Sequence, residues 1–179
     1  MSDRAGAGGL VVAGRSGVAT HVLKDTADPA EWRLVLERAQ AELVVLAGYL
    51  KRVPAAVVDA WRGRIINIHP ALLPRHGGPG MYGRRVHEAV LASGETRSGA
   101  TVHLVTEEYD QGPILGQATV PVLPGDTAES LAARVLEVEH RLLPAAVLAA
   151  ARTGRPMEFE LESDDRVSGA PELPGSRVP

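Results

Sequence analysis

An α/β fold is predicted by three features of this sequence. Strand-like and helix-like segments alternate along the chain. Leu43-Val-Val-Leu-Ala47 is a continuous apolar run of strand length, the pattern of a parallel sheet covered on both faces. Asp28-Pro29-Ala30-Glu31 is a helix start, with Asp at the N-cap, proline at N1 and Glu at N3. Together they predict strand–helix units joined by right-handed crossovers.

Taken in order, Ala5 to Ala13 reads as a helix weakened by Gly6, Gly8 and Gly9. Those glycines do not form a dinucleotide loop, because the third glycine of that motif would fall on Val11 and no strand precedes them. Val18 to Leu23 reads as a short strand. Trp32, Val35, Leu36 and Ala39 follow at i, i+3, i+4 and i+7, an amphipathic helix after Asp28. Gly48 ends the Leu43–Ala47 strand, and Pro54 opens a short helix to about Trp61. A buried strand then runs through Ile65, Ile66 and Ile68. Arg84 to Ala92 is helical, with Val86, Ala89 and Val90 as its apolar face and Gly94 as its stop. Ala100 to Val105 and Ile114 to Val122 read as an antiparallel strand pair around the turn Glu107 to Pro113. Asp126-Thr-Ala-Glu129 reads as a capping box for the longest helix, which ends at Gly154 and kinks near Pro144.

Composition bounds the function. A chain of 179 residues, 45% hydrophobic, suits one domain with a sizeable core. Aromatics make up only 3%, so that core is aliphatic. With a net charge of -3 and no basic block, nucleic-acid binding through a cationic surface is disfavoured. The chain contains no cysteine, which excludes disulfides, thiolate metal sites and a cysteine nucleophile. No apolar stretch is long enough to span a membrane, and signal-peptide features are missing, so the cytoplasm is the expected compartment. We expect a domain over residues 1–162 and a disordered, Pro/Gly-rich tail over 163–179.

The chemistry concentrates at Asn67-Ile-His69-Pro70. On a strand, Asn67 and His69 point to the same side, and Pro70 stops the ladder. An amide and an imidazole are thus placed at the carboxyl end of a buried strand, where open α/β sheets bind ligands. Asn67 offers an N–H to an oxyanion, and His69 is suited to moving a proton near neutral pH. A carboxylate beside His69 would favour its charged form. Asp110, Glu107 and Glu108 are equal candidates for it by spacing. Without a nucleophilic Ser or Cys nearby, the set suits direct acyl transfer to an amine. The glycine-rich stretch Arg75 to Gly83 follows at once and is expected to be a mobile loop able to cover a ligand.

Ile66-Asn-Ile-His-Pro-Ala-Leu-Leu-Pro74, Ser98-Gly-Ala-Thr-Val-His-Leu-Val105 and Tyr109-Asp-Gln-Gly-Pro-Ile114 resemble the phosphoribosylglycinamide formyltransferase family. Leu43 to Arg52, Gly125-Asp126-Thr127 and Glu139-His140 match in order, so the resemblance runs from about residue 2 to 155. It implies a Rossmann-like formyltransferase fold, a mostly parallel sheet flanked by helices with an antiparallel C-terminal strand pair. It further implies formyl transfer from 10-formyltetrahydrofolate, a co-substrate, to the amine of glycinamide ribonucleotide in purine synthesis, with no metal. Asn67, His69 and Asp110 fall on the catalytic residues, and His103 on a histidine near the Asp. In that scheme His69 acts as an imidazolium whose pKa Asp110 raises. Leu50, Lys51, Arg52, Val53, Asn67 and Thr106, Glu107, Glu108, Tyr109, Asp110 would contact the folate, and Glu139 the ribonucleotide.

Family members open with a strand, a glycine-rich phosphate loop, a helix and a second strand, and Ser2-Asp-Arg-Ala lines up just after that second strand. The chain is therefore expected to be N-terminally truncated, with strands Val18–Leu23 and Leu43–Ala47 partly uncovered, low stability and weak ribonucleotide binding. The same layout serves formyltetrahydrofolate deformylase, which uses water as acceptor, and methionyl-tRNA formyltransferase. An inactive folate-binding fragment is the alternative from another class. Oligomeric state is not legible.

Overall fold

The computed structural model describes residues 1–161; the tail expected over 163–179 lies outside the described residues. The elements are α1 (Gly8–Arg15), α2 (Pro29–Arg38), β1 (Val44–Leu46), α3 (Ala55–Ala60), β2 (Ile65–His69), α4 (Arg84–Ala92), β3 (Arg97–Leu104), β4 (Ile114–Pro121) and α5 (Ala128–Thr153). The four strands form one sheet in the order β1-β2-β3-β4. The expected α/β class is present, but the sheet is mixed rather than mostly parallel: β1 pairs parallel with β2, while β2–β3 and β3–β4 are antiparallel. The turn between β3 and β4 is short enough for a hairpin, which is why that pair was legible from the sequence.

The two-residue period of β2 divides the core. Ile65 packs on one face with Trp32, Leu36, Val44, Leu46, Val57 and Trp61. Ile66 packs on the other with Val90, Val102, Leu115, Leu131, Val135 and Leu142. Burial on both faces explains why β2 carries isoleucine at both Ile65 and Ile66. The helix α5 covers β3 and β4 and lies against α4, burying Leu131, Val135, Leu142 and Ala146. It runs as one element through Pro144 and stops at Gly154, whose φ is 74°.

Three local readings differ from the structure. Val18–Leu23 does not form a strand: only Val22 pairs, in one parallel bridge with Ser2. The Ser2 N–H donates to the His21 carbonyl at 3.0 Å and the Leu23 N–H to the Ser2 carbonyl at 2.9 Å. Val18 and Val22 remain exposed, as does Val45 on β1. The N-cap of α5 is Thr127, paired reciprocally with Ser130, rather than Asp126 with Glu129. Asp126 instead accepts from the Arg134 guanidinium and from the Leu123 N–H, interactions that hold its carboxyl well below the usual range. The weak N-terminal helix is shifted, starting at Gly8, and buries no residue. At α2 the expected cap is present, with the Asp28 carboxylate accepting from the Ala30 N–H at 2.8 Å. Glu31 reaches back to the Asp25 N–H, to His21 and to the Lys24 N–H, which pull its carboxyl down to about 2.

Gly99 on β3 has no room for a side chain, since a Cβ there would lie 2.0 Å from the Ala118 carbonyl oxygen. Gly99→Ala is expected to lower stability by about 1–3 kcal/mol or more, because backbone oxygens cannot yield as side chains do. Urea unfolding checks this, and an unchanged midpoint would contradict the close β3–β4 packing.

Candidate active site

The carboxyl end of β2 opens into a cleft of about 900 Å³. Its walls are the segment after β1, the loop after β2, the turn after β3 and one side of α5. Every site residue singled out in the sequence lies on this cleft: Leu50, Lys51, Arg52, Val53, Asn67, His69, Thr106, Glu107, Glu108, Tyr109, Asp110 and Glu139. The register of β2 and β3 sets its floor, with Asn67 opposite His103 and His69 opposite Thr101. A bulge in the β3–β4 pair between Val102 and His103 disturbs the ladder at the same level.

His69 is 4% exposed. Its Nε2–H donates to the His76 carbonyl at 2.8 Å, and Nδ1 lies 3.6 Å from Asp110 Oδ2. Asp110 therefore takes the position that spacing left open between three acidic residues, and Glu107 and Glu108 are exposed on the turn. Asp110 sits at φ 55°, in the left-handed region that Asp tolerates better than most residues. Its Oδ2 accepts from the Gly78 N–H at 2.9 Å, and its Oδ1 lies 3.5 Å from His103 Nε2. A Cβ at Gly77 would lie 2.5 Å from the Leu73 side chain and 3.1 Å from Asp110 Cβ, so glycine permits this close approach. His103 donates Nδ1–H to the Leu104 carbonyl at 2.9 Å, leaving Nε2 to accept from Asn67 Nδ2 at 3.1 Å. Asn67 keeps its second amide hydrogen for the cleft.

The electrostatics separate the roles of the two faces of His69. Burial pushes the imidazole below its ordinary value; Asp110 and the His76 carbonyl push it up without reversing this. The expected upward effect of Asp110 is present, but the net direction is down, and a neutral ring with hydrogen on Nε2 carries its basic nitrogen, Nδ1, towards Asp110. Burial raises Asp110, while the His103 imidazole 3.5 Å away, the Gly78 N–H and His69 outweigh it, so the carboxyl stays below the ordinary range. Burial pushes the Glu139 carboxyl up, His140 opposing.

Several neighbours were not anticipated. Thr101 is fully buried and holds the turn after His69: its hydroxyl donates to the Ala71 carbonyl at 2.6 Å and accepts from the Leu73 N–H and from Gln117. Its place one strand step from His103 in the sequence was the available signal. His87 on α4 lines the cleft at 4% exposure, and its Nδ1 is buried with no hydrogen-bond partner among the described residues. A polar residue between Val86 and Val90 on an apolar helix face marked it. Arg52 crosses the mouth of the cleft to donate to the Glu107 carbonyl, and Lys51 lies 3.5 Å from Asp3. Among the described residues no helix is long and apolar enough to cross a membrane, and no group of three or more His, Asp or Glu is placed to hold a metal ion.

Residues 2–147 match the model of the family described as formyl transferase. The chain is 53% identical over 118 residues to the chloroplastic phosphoribosylglycinamide formyltransferase of Arabidopsis thaliana, covering 66% of this chain and 40% of that protein. It is 37% identical over 150 residues to the phosphoribosylglycinamide formyltransferase of Escherichia coli K12, covering 80% of this chain and 68% of that one. A crystal structure of phosphoribosylglycinamide formyltransferase from Anaplasma phagocytophilum superposes with a TM-score of 0.78 at 40% identity, covering 84% of this chain and 70% of that one.

His69 and His87 give the site a pH signature. Burial holds both below the ordinary 6.5, so the native state binds fewer protons than the unfolded chain. Their contribution is complete above 6.5 and declines as pH falls through that value towards the folded-state ones. Urea midpoints measured at about pH 7.5 and about pH 5.5 should fall for the wild type and fall less for His87→Leu. Equal declines in both proteins would contradict the burial of a neutral His87.

Proposed function

The chain belongs to the formyl transferase family, and we propose that it transfers a formyl group from 10-formyltetrahydrofolate to the amine of glycinamide ribonucleotide. The observation that carries this reading is the convergence of Asn67, His69 and Asp110 at the carboxyl end of β2, inside a cleft of about 900 Å³. That volume suits a large heterocyclic substrate with a second ligand beside it. Leu46, Leu50, Val53 and Val105 supply an apolar wall for a pterin, and the 50–53 and 106–110 segments line the same cleft. Glu139, on α5, faces the cleft where it can accept from sugar hydroxyls.

In this reading the amine attacks the formyl carbon directly. Asn67 Nδ2 donates to the formyl oxygen as charge develops there, and its link to His103 fixes the amide plane beforehand. His69 enters neutral, with its Nε2–H engaged by the His76 carbonyl. Its Nδ1 takes the proton that the amine loses, and Asp110, kept ionised, stabilises the resulting imidazolium. The same Nδ1 then returns the proton to the departing folate nitrogen. One C–N bond forms, one breaks, and one proton crosses through His69.

The test is formation of formylglycinamide ribonucleotide from the two substrates. His69→Ala is expected to lower kcat by about 10²–10⁴-fold, and Asn67→Ala by about 10²–10³-fold. Substrate-dependent release of formate in place of the formylated amine would overturn the reading in favour of hydrolysis, and folate binding without turnover would favour an inactive fragment.

A further inference from the structure

We propose that Glu95 and His76 form a positioning pair that sets the orientation and tautomer of His69 from outside the cleft. The inference rests on His69 being the catalytic imidazole. His76 sits in the loop after β2 at φ 54°, a conformation in which L residues are uncommon and histidine is among the tolerated types. That backbone geometry aims the His76 carbonyl at His69 Nε2, 2.8 Å away. The His76 side chain runs the other way, and its Nε2–H donates to Glu95 Oε1 at 2.8 Å. Glu95 lies in the turn between α4 and β3, outside the loop it holds, and Arg75 approaches the same carboxylate oxygen at 3.4 Å. Both members are half-buried, with side-chain exposures of 14% and 21%. The Glu95 carboxyl is held below its ordinary range chiefly by this hydrogen bond.

The consequence follows from the ring's two nitrogens. A carbonyl can only accept, so His76 fixes the hydrogen of neutral His69 on Nε2 and leaves Nδ1 as the base. Were the carbonyl to turn away, the hydrogen could move to Nδ1, where the Asp110 carboxylate would accept it, and the nitrogen that must take the amine proton would be blocked. Asp110 alone would therefore select the wrong tautomer. Beyond the Thr101 contacts with Ala71 and Leu73, the loop is held by Glu95 at His76 and by Asp110 at the Gly78 N–H. The Glu95 tether acts on the residue that carries the carbonyl.

The test combines kinetics with ¹H–¹⁵N spectra of the imidazoles, His69 being assigned by loss of its signals in His69→Gln. In the wild type, His69 should be the Nε2–H tautomer. Glu95→Ala should add a population with hydrogen on Nδ1 and lower kcat about ten- to a hundredfold, as small misplacements of catalytic groups do, with KM for both substrates little changed. Glu95→Gln, which can still accept from His76, should restore most of kcat. His76→Asn, which tolerates positive φ but is too short to reach Glu95, should reproduce the Glu95→Ala loss if that variant does not fold. An unchanged His69 tautomer and unchanged kcat in Glu95→Ala would overturn the proposal. Wild-type turnover is measured first: its absence would defeat the catalytic reading of His69, whereas the spectra decide the positioning role without turnover.

Discussion

In β2 the side chains of Ile65, Asn67 and His69 leave one face of the sheet, and Ile66 and Ile68 leave the other. A slip of one residue in pairing would send the amide and imidazole into the aliphatic core and an isoleucine into the cleft. Burial of Ile65 and Ile66 in two separate clusters makes that slip costly from both sides. The position of Asn67 and His69 is thus enforced by hydrophobic packing on both faces of the strand. Thr101 extends the constraint past the strand end, pinning Ala71 and Leu73 so that the chain leaves His69 in one direction.

The site is then closed by elements that contribute one group each. The β3–β4 turn brings Asp110, β3 brings His103, and the loop after β2 folds back so that a backbone carbonyl and a backbone N–H clasp the His69–Asp110 pair. Two non-glycine residues at positive φ, His76 and Asp110, lie at this junction. Local strain of this kind persists where surrounding contacts over-determine it and is concentrated at functional sites. Burial lowers the His69 pKa and hydrogen bonding holds the Asp110 carboxyl low, the pair of charge states that the proposed proton transfer requires.

Much of this was legible in the residues. Apolar runs gave β1 and β2, the Asp28-Pro29 start gave α2, and the spacing of Asn67 and His69 put them on one face. Asp110 was not distinguishable from Glu107 and Glu108 by spacing, because the choice is made by the turn's backbone conformation and by β3–β4 register. Val18–Leu23 has strand composition, but a strand needs a partner, and Ser2 supplies only one bridge. At α5, Asp126 and Thr127 both qualify as caps; the Arg134 side chain engages Asp126 and leaves the cap to Thr127. The downward net shift of His69 was hidden as well, since burial is a property of the packed loop and not of the local sequence.

The most direct measurement is a crystal structure of this chain with a non-transferable 10-formyltetrahydrofolate analogue and glycinamide ribonucleotide. The expected complex has the formyl oxygen within hydrogen-bond reach of Asn67 Nδ2, the acceptor amine nearest His69 Nδ1, and the pterin between the 50–53 and 106–110 segments. A ligand seated away from β2, or an amine on the far side of Asp110 from His69, would contradict the central claim that the end of this one strand organises the reaction.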